Sequence, residues 1–319
     1  MHMNDYSQQF TQTHTSTGYI TIDMITMLFK VKFSNRKLIQ KHLSRMVKND
    51  LLKQTKSPEY KSNDTGSSDI YKERYIANIA NPDGTTGTLT IEANPKKNTR
   101  GNPRAYLRFE YNPNKCDSTI VAKYIKRILG SKMYKSFHSR CWITRIDITS
   151  DVIGITPDDI LIYVPGLRKS EMIRGKDYQI ETIYTGSRSS RLFFNTYNKE
   201  RELETNLNIE LGYYITRFEV TVRNRGKQIK IRDLPGIENV FALINVYDSD
   251  IDESLFPKAF IANLKENGLQ KALMSMTRSR RPGILNKLEQ YRTSPLQPEK
   301  LWESFTKALS FLDTFKYHE

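Results

Sequence analysis

The chain has 319 residues, 38% hydrophobic and 11% aromatic, enough apolar surface for one large or two modest folded domains and too much for a disordered chain. Its 50 lysines and arginines against 35 acids leave a formal charge of +15, which favours nucleic acid as partner over an anionic membrane. No apolar run approaches the ~20 residues of a membrane span, no basic-then-apolar leader opens the sequence, and two cysteines are too few for a disulfide scaffold or a zinc knuckle; a reduced, cytoplasmic protein is expected.

In chain order, residues 1–17 read as a polar arm. The β-branched and apolar stretch from Gly18 to Phe33 predicts a central strand. Ser34-Asn35 resembles a helix cap ahead of Lys37–Lys53, where Leu38, Ile39, Leu43 and Met46 recur at helical spacing. Residues 54–73 have loop composition. Strands are predicted at Tyr75–Ile79, Gly87–Ala93 and Ala105–Tyr111, separated by a Pro-Asp-Gly turn and by the turn Lys-Lys-Asn-Thr-Arg-Gly-Asn-Pro. Asp117 is placed to cap a helix over Ser118–Phe137, with Ile120, Val121, Tyr124, Ile128 and Leu129 as its stripe.

A strand opens the second half after Cys141, running Trp142 to Asp151, and Thr156-Pro157-Asp158-Asp159 resembles a helix start with proline in the first turn. A basic loop, 167–176, leads to a long strand or hairpin from Tyr178 to Glu200, and Tyr213–Arg223 is the next strand. Beyond about residue 230 helical spacing takes over, at Pro257–Met276, Gly283–Tyr291 and Glu299–Phe315, the last with Leu301, Phe305, Leu309 and Leu312 on one stripe. Leu107-Arg108-Phe109-Glu110 echoes Thr216-Arg217-Phe218-Glu219. The expected fold is therefore α+β, a mainly antiparallel sheet from two related halves (18–140 and 141–230) with a helical C-terminal region, 231–319, for DNA recognition or dimerisation.

Strand alternation sorts the polar residues of the second half. Arg145, Asp147, Thr149 and Asp151 share one face of their strand. Arg191, Phe193, Asn195, Tyr197 and Lys199 share another, as do Arg217, Glu219, Thr221 and Arg223. If the three strands are neighbours, carboxylates, a phenol and an ammonium meet on one surface, enough for metal-assisted phosphoryl transfer. The sequence has no P-loop and no His-x-His pair. The His42-Leu-Ser-Arg45 run lies on an amphipathic helix and reads as structural. What remains is a tyrosine with carboxylates. A free phenol ionises near pH ~10, so phenolate at neutral pH costs about 4 kcal/mol without help. Lys199 is placed to supply a charge, and a divalent ion on Asp147 and Glu219 would polarise a phosphate; oxygen ligands suit Mg²⁺ or Mn²⁺.

Alternatives stand beside these readings. Arg145 and Arg217 suit cross-strand ion pairs with Asp147 and Glu219. Tyr111, beside its own Arg-Phe-Glu, competes with Tyr197, although Pro113 follows it. The turn Thr185-Gly-Ser-Arg188-Ser-Ser-Arg191 offers amides, hydroxyls and arginines to a phosphate, and Arg278-Ser-Arg280-Arg281 reads either as a phosphate contact or as a solvated turn.

Arg145-Ile-Asp147-Ile-Thr-Ser-Asp151, Tyr184-Thr-Gly186-Ser187-Arg188 through Tyr197-Asn198-Lys199, and Thr216-Arg217-Phe218-Glu219 together resemble the rolling-circle replication initiators of the replication initiation factor family, which serve small bacterial plasmids and some filamentous phages. Ile22–Thr26 and Arg108–Pro113 look similar too, so the likeness spans roughly 18–230. It implies a relaxase-like, sequence-specific DNA nickase and religase working through a covalent phosphotyrosine with Mg²⁺ or Mn²⁺. Tyr197 becomes the nucleophile, Asp147 and Glu219 the metal ligands with Asp151 a further candidate, and Arg188 and Lys199 contacts of the scissile phosphate. Arg145, Arg191, Arg217, Arg223, Arg278, Arg280 and Arg281 are the candidate DNA contacts. Expected partners are an origin, supercoiled or locally single-stranded, a second copy of the chain and a host helicase. The rivals are a non-enzymatic DNA-binding regulator and a metal-dependent hydrolytic nuclease.

Overall fold

The computed structural model describes residues 18–55, 70–96, 106–224 and 229–316. The expected arm, most of the expected 54–73 loop and nearly all of the 96–103 turn lie outside the described residues.

The β-branched opening forms β1 (Thr21–Phe29), which ends four residues before the predicted end at Phe33, because the helix α1 already begins there and runs to Lys48. Ser34 and Asn35 fall inside its first turn and do not cap it; extended Lys32 precedes the helix without a side-chain cap. Ile39, Leu43 and Met46 are buried as the spacing requires, while Leu38 is exposed. Then follow β2 (Lys53–Thr55), β3 (Tyr71–Ala80), β4 (Thr86–Pro95) and β5 (Leu107–Tyr111). Asp117 does cap the next helix: its carboxylate accepts from the amides of Thr119 and Ile120 at 2.7 and 3.2 Å. That helix, α2 (Ser118–Leu129), stops well short of Phe137, because Gly130 adopts φ +73° and ends it. Its buried stripe is Val121, Ala122, Ile125, Ile128 and Leu129, rotated from the predicted one.

β6 (Trp142–Ile153) is the long strand expected after Cys141. The Thr156–Asp159 motif closes a reciprocal capping box but holds only one turn, Pro157–Asp159. The β-branched Ile160-Leu-Ile-Tyr163 that follows takes over as strand β7. β8 (Ser170–Arg174) occupies the expected basic loop, and β9 (Ile180–Thr185) with β10 (Leu192–Asn198) makes the predicted hairpin. The helix α3 (Lys199–Leu207) starts immediately after β10, then β11 (Ile215–Arg223) and the two-residue β12 (Ile229–Lys230). The C-terminal region is not purely helical. β13 (Asn245–Asp248) precedes α4 (Lys258–Ser275), which kinks at Gly268, and α5 (Arg281–Leu288) is followed by β14 (Arg292–Thr293). The expected final helix is three short turns within Pro298–Phe315, yet Leu301, Phe305, Leu309 and Leu312 are all buried.

The chain folds as two compact units assembled from non-contiguous stretches, where the sequence reading divides it into contiguous ones. Of the described residues, one unit takes those within 22–147, 222–237 and 306–316; the other takes 18–21, 148–221 and 238–305. Residues 231–319 are thus shared out between both, because strand pairing follows the sheet and not the chain.

The two units repeat one topology. In the first, the strands lie in the order β2-β3-β4-β5-β1; in the second the order is β8-β9-β10-β11-β6. In each, the opening strand sits beside the last one of its half, which bears out the expectation of related halves. Strand pairs within each unit run antiparallel, as for Met27 opposite Phe109 and Tyr197 opposite Thr182. The first unit's core gathers Phe29, Phe109, Phe137 and Phe315, with ring centroids 5.5 to 5.9 Å apart about Phe137. In the second unit β7 pairs with β13 and β13 with β14, and beside them α4 and α5 bury Phe260, Leu264, Leu269, Leu273 and Leu288 with Tyr247. Each such side chain contributes about 1.5–3 kcal/mol on burial.

Candidate active site

The β9–β10 hairpin positions the candidate nucleophile. Gly186 turns the chain with φ +98°, and a Cβ there would lie 3.0 Å from the carbonyl oxygen of Leu192, so this turn needs glycine. In β10, Phe194 and Thr196 are buried while Phe193, Asn195 and Tyr197 are half-buried, so alternation puts Tyr197 on the open side. Opposite them on β9 stand Thr182 and Tyr184, paired with Tyr197 and Asn195. Tyr184 and Phe193 stack at 5.6 Å, and the Arg188 guanidinium lies 5.2 Å from the Tyr184 ring. The Asn195 side-chain oxygen is buried without a hydrogen-bond partner among the described residues, an unsatisfied acceptor two residues from Tyr197.

β11 lies beside β10, and β6 beside β11. Phe218 and Val220 are buried, leaving Arg217, Glu219 and Arg223 on the more open side, as predicted. Arg217 is held bidentately by Asp151. Its Nε and Nη2 donate to the two oxygens of Asp151 at 2.6 and 2.7 Å. Asp147, in the other unit, is 3% exposed and held the same way: Arg145 donates from Nε at 2.9 Å and from Nη2 at 2.5 Å. Two of the three expected metal ligands therefore have both oxygens engaged by guanidinium. Among the described residues, no three His, Cys, Asp or Glu side chains cluster as metal ligands do. A hard divalent ion takes six or more oxygen ligands. Carboxylates already closed by arginine do not fit such an ion as they stand.

Lys199 does not continue the strand face expected for it. Asn198 caps α3, its side-chain oxygen accepting from the Arg201 amide at 3.0 Å, so Lys199 is the first helical residue and leaves the strand face of Tyr197. Its Nζ donates to Glu202 at 2.6 Å. Of the other basic candidates, Arg188 and Arg191 are exposed on the hairpin turn, and Arg278 and Arg280 are exposed beyond α4. Arg281 is structural, donating to the carbonyls of Met274 and Met276 at 3.0 to 3.2 Å.

The first unit has a counterpart without a reachable tyrosine. Arg108 bridges Glu92, at 2.9 Å, and Glu110, which also accepts from the Thr26 hydroxyl at 2.7 Å. Tyr111 is 1% exposed among Phe311 and Phe315, and burial pushes its phenol far above the ordinary range.

Fold and site define a basic α+β protein with duplicated antiparallel topology, carrying a half-buried tyrosine on a hairpin whose turn bears two exposed arginines. Residues 166–256 match the model of the replication initiation factor family. The match covers β8 to β11 with Arg188, Arg191, Tyr197, Lys199, Arg217, Glu219 and Arg223. Asp147, Asp151 and the Arg278–Arg281 run fall outside it. A search of curated proteins returned no match. Among the described residues, no helix is long and apolar enough to cross a membrane.

Proposed function

We propose that this protein starts rolling-circle replication by nicking one strand of an origin through Tyr197, and rejoins the ends at termination. Tyr197 itself carries the reading: it lies inside the family segment, on the open side of the hairpin, while its sequence rival Tyr111 is sealed in a core. The phenolic oxygen bonds to the scissile phosphorus as the P–O3′ bond breaks. The phenol loses its proton and the departing 3′ oxygen gains one. The phosphotyrosine conserves the ester, so attack by a 3′ hydroxyl rejoins the strand without a nucleotide cofactor.

Arg188 and Arg191, on the turn ahead of Tyr197, are the cations this hairpin offers to the phosphate. Their charge favours phenolate and the developing charge on phosphorus. Mg²⁺ or Mn²⁺ is implied by the family resemblance alone. Origin DNA is the partner, bound through many phosphate contacts and a few base contacts, hence salt-sensitively.

The test is nicking of supercoiled DNA carrying the cognate replicon by wild type, Tyr197→Phe and Asp147→Asn. Loss in Tyr197→Phe supports the proposal. Activity that survives Tyr197→Phe but not Asp147→Asn would point to a hydrolytic nuclease, and specific binding without nicking to a regulator.

A further inference from the structure

The hairpin uses few of the chain's surplus cations, and several of its arginines are spent on carboxylates: Arg108, Arg145, Arg201 and Arg217 each hold one or two. One place in the first unit departs from this habit. Between the C-terminal halves of α1 and α2 lies an open groove of ≈ 680 Å³, lined by His42 and Arg45 from α1 and by Lys123, Lys126 and Arg127 from α2. Among the described residues, no carboxylate lines it. The four lysines and arginines are exposed, and among the described residues none forms an ion pair. Basic residues in a last helical turn ordinarily answer the helix dipole. Lys123 sits a turn earlier than that explanation reaches, and two helices converge their cations on one trough.

The spacing suits a polyanion. Lys123, Lys126 and Arg127 stand at i, i+3 and i+4, so they share one face of α2 over about 6 Å of axis, at 1.5 Å per residue. A DNA strand presents a phosphate roughly every 3.4 Å of duplex axis, so neighbouring phosphates fall within reach of successive side chains. His42 is held by the carbonyl of Ile128, 2.8 Å from its Nδ1, which fixes the groove floor where Gly130 ends α2. The lining's apolar members, Met46 and Leu51, are buried or half-buried, so it offers no exposed apolar wedge of the kind a membrane surface requires.

We propose that this groove is a second nucleic-acid site, which grips the phosphate backbone of DNA away from the tyrosine hairpin and outside the segment matched to the family. It deepens the proposed function and rests on it for the identity of the partner. A grip of this kind holds flanking DNA without reading sequence, leaving specificity to base contacts elsewhere.

The experiment measures the affinity of the full chain for a short labelled duplex against KCl concentration. Wild type is compared with Arg45→Gln/Lys123→Gln/Lys126→Gln/Arg127→Gln, in which glutamine keeps the helices, and with a charge-removal control at exposed positions elsewhere, Lys258→Gln/Lys300→Gln. The groove variant is expected to bind at least tenfold more weakly at low salt. Its slope of log affinity against log salt should fall by about 0.9 for each phosphate it no longer neutralises. A folded groove variant whose affinity and slope match wild type would overturn the inference, as would a weakening no larger than the control's per charge removed. So would loss of binding to phosphatidylserine vesicles with DNA binding intact. Wild type that nicks DNA while the groove variant binds normally refutes the groove alone; wild type that binds no DNA refutes the initiator reading as well.

Discussion

Removing Arg217 should cost more than removing both members of its pair. Arg217 and Asp151 meet through two hydrogen bonds at 2.6 and 2.7 Å, with side chains 13% and 17% exposed. Breaking a fully buried pair from one side costs about 3–5 kcal/mol, because the remaining charge is left in low dielectric. Partial exposure lets water relieve some of this, so Arg217→Ala is expected to lose about 2–3 kcal/mol. Arg217→Ala/Asp151→Ala should recover about 1–2 of it, since no orphaned charge remains. With a urea m-value near about 3 kcal/mol/M, the single substitution moves the midpoint by slightly under about 1 M. Urea denaturation of both single variants and the double variant gives the coupling energy directly. A coupling below about 0.5 kcal/mol would mean that the pair is a loose surface contact, and that Asp151 is as available to a metal as the sequence suggests.

The remaining expectations are more local. Lys199→Gln removes only a partly exposed helix pair, worth at most about 1 kcal/mol; a nicking rate reduced more than tenfold would return Lys199 to the phosphate. Burial raises the Glu92 carboxyl above the ordinary range, Arg108 only partly opposing it. A raised folded value means the folded state holds the proton longer, so stability present below the usual glutamate pKa is lost as pH rises through the folded one. Hence the stability of Glu92→Gln relative to wild type should increase with pH across that window, and a flat or falling difference in denaturation curves would contradict it. Cys116 and Cys141 are buried and their thiols pushed up, so a thiol reagent at mildly alkaline pH should label neither until denaturant is added.

Much of this is legible in the sequence for identifiable reasons. The hairpin and β11 announce themselves by alternation around turn residues, and the faces of Tyr197, Arg217 and Glu219 follow from a period of two. The echo of Arg108-Phe109-Glu110 with Arg217-Phe218-Glu219 foretells a repeated strand order. The strand face stops short of Lys199 because the cap formed by Asn198 starts a helix there. The Arg217–Asp151 bond escapes the sequence because register between distant strands is set by tertiary pairing, which local spacing does not encode. β13 and β14, four and two residues long, are too short to show a period at all.

The central claim is that Tyr197 becomes joined to DNA. Supercoiled DNA carrying the cognate replicon, incubated with wild type and with Tyr197→Phe, then denatured, digested and analysed by mass spectrometry, reads it directly. A nucleotide adduct is expected on the peptide containing Tyr197, and it should vanish in the variant. An adduct on another tyrosine, or nicking with no adduct at all, would contradict it.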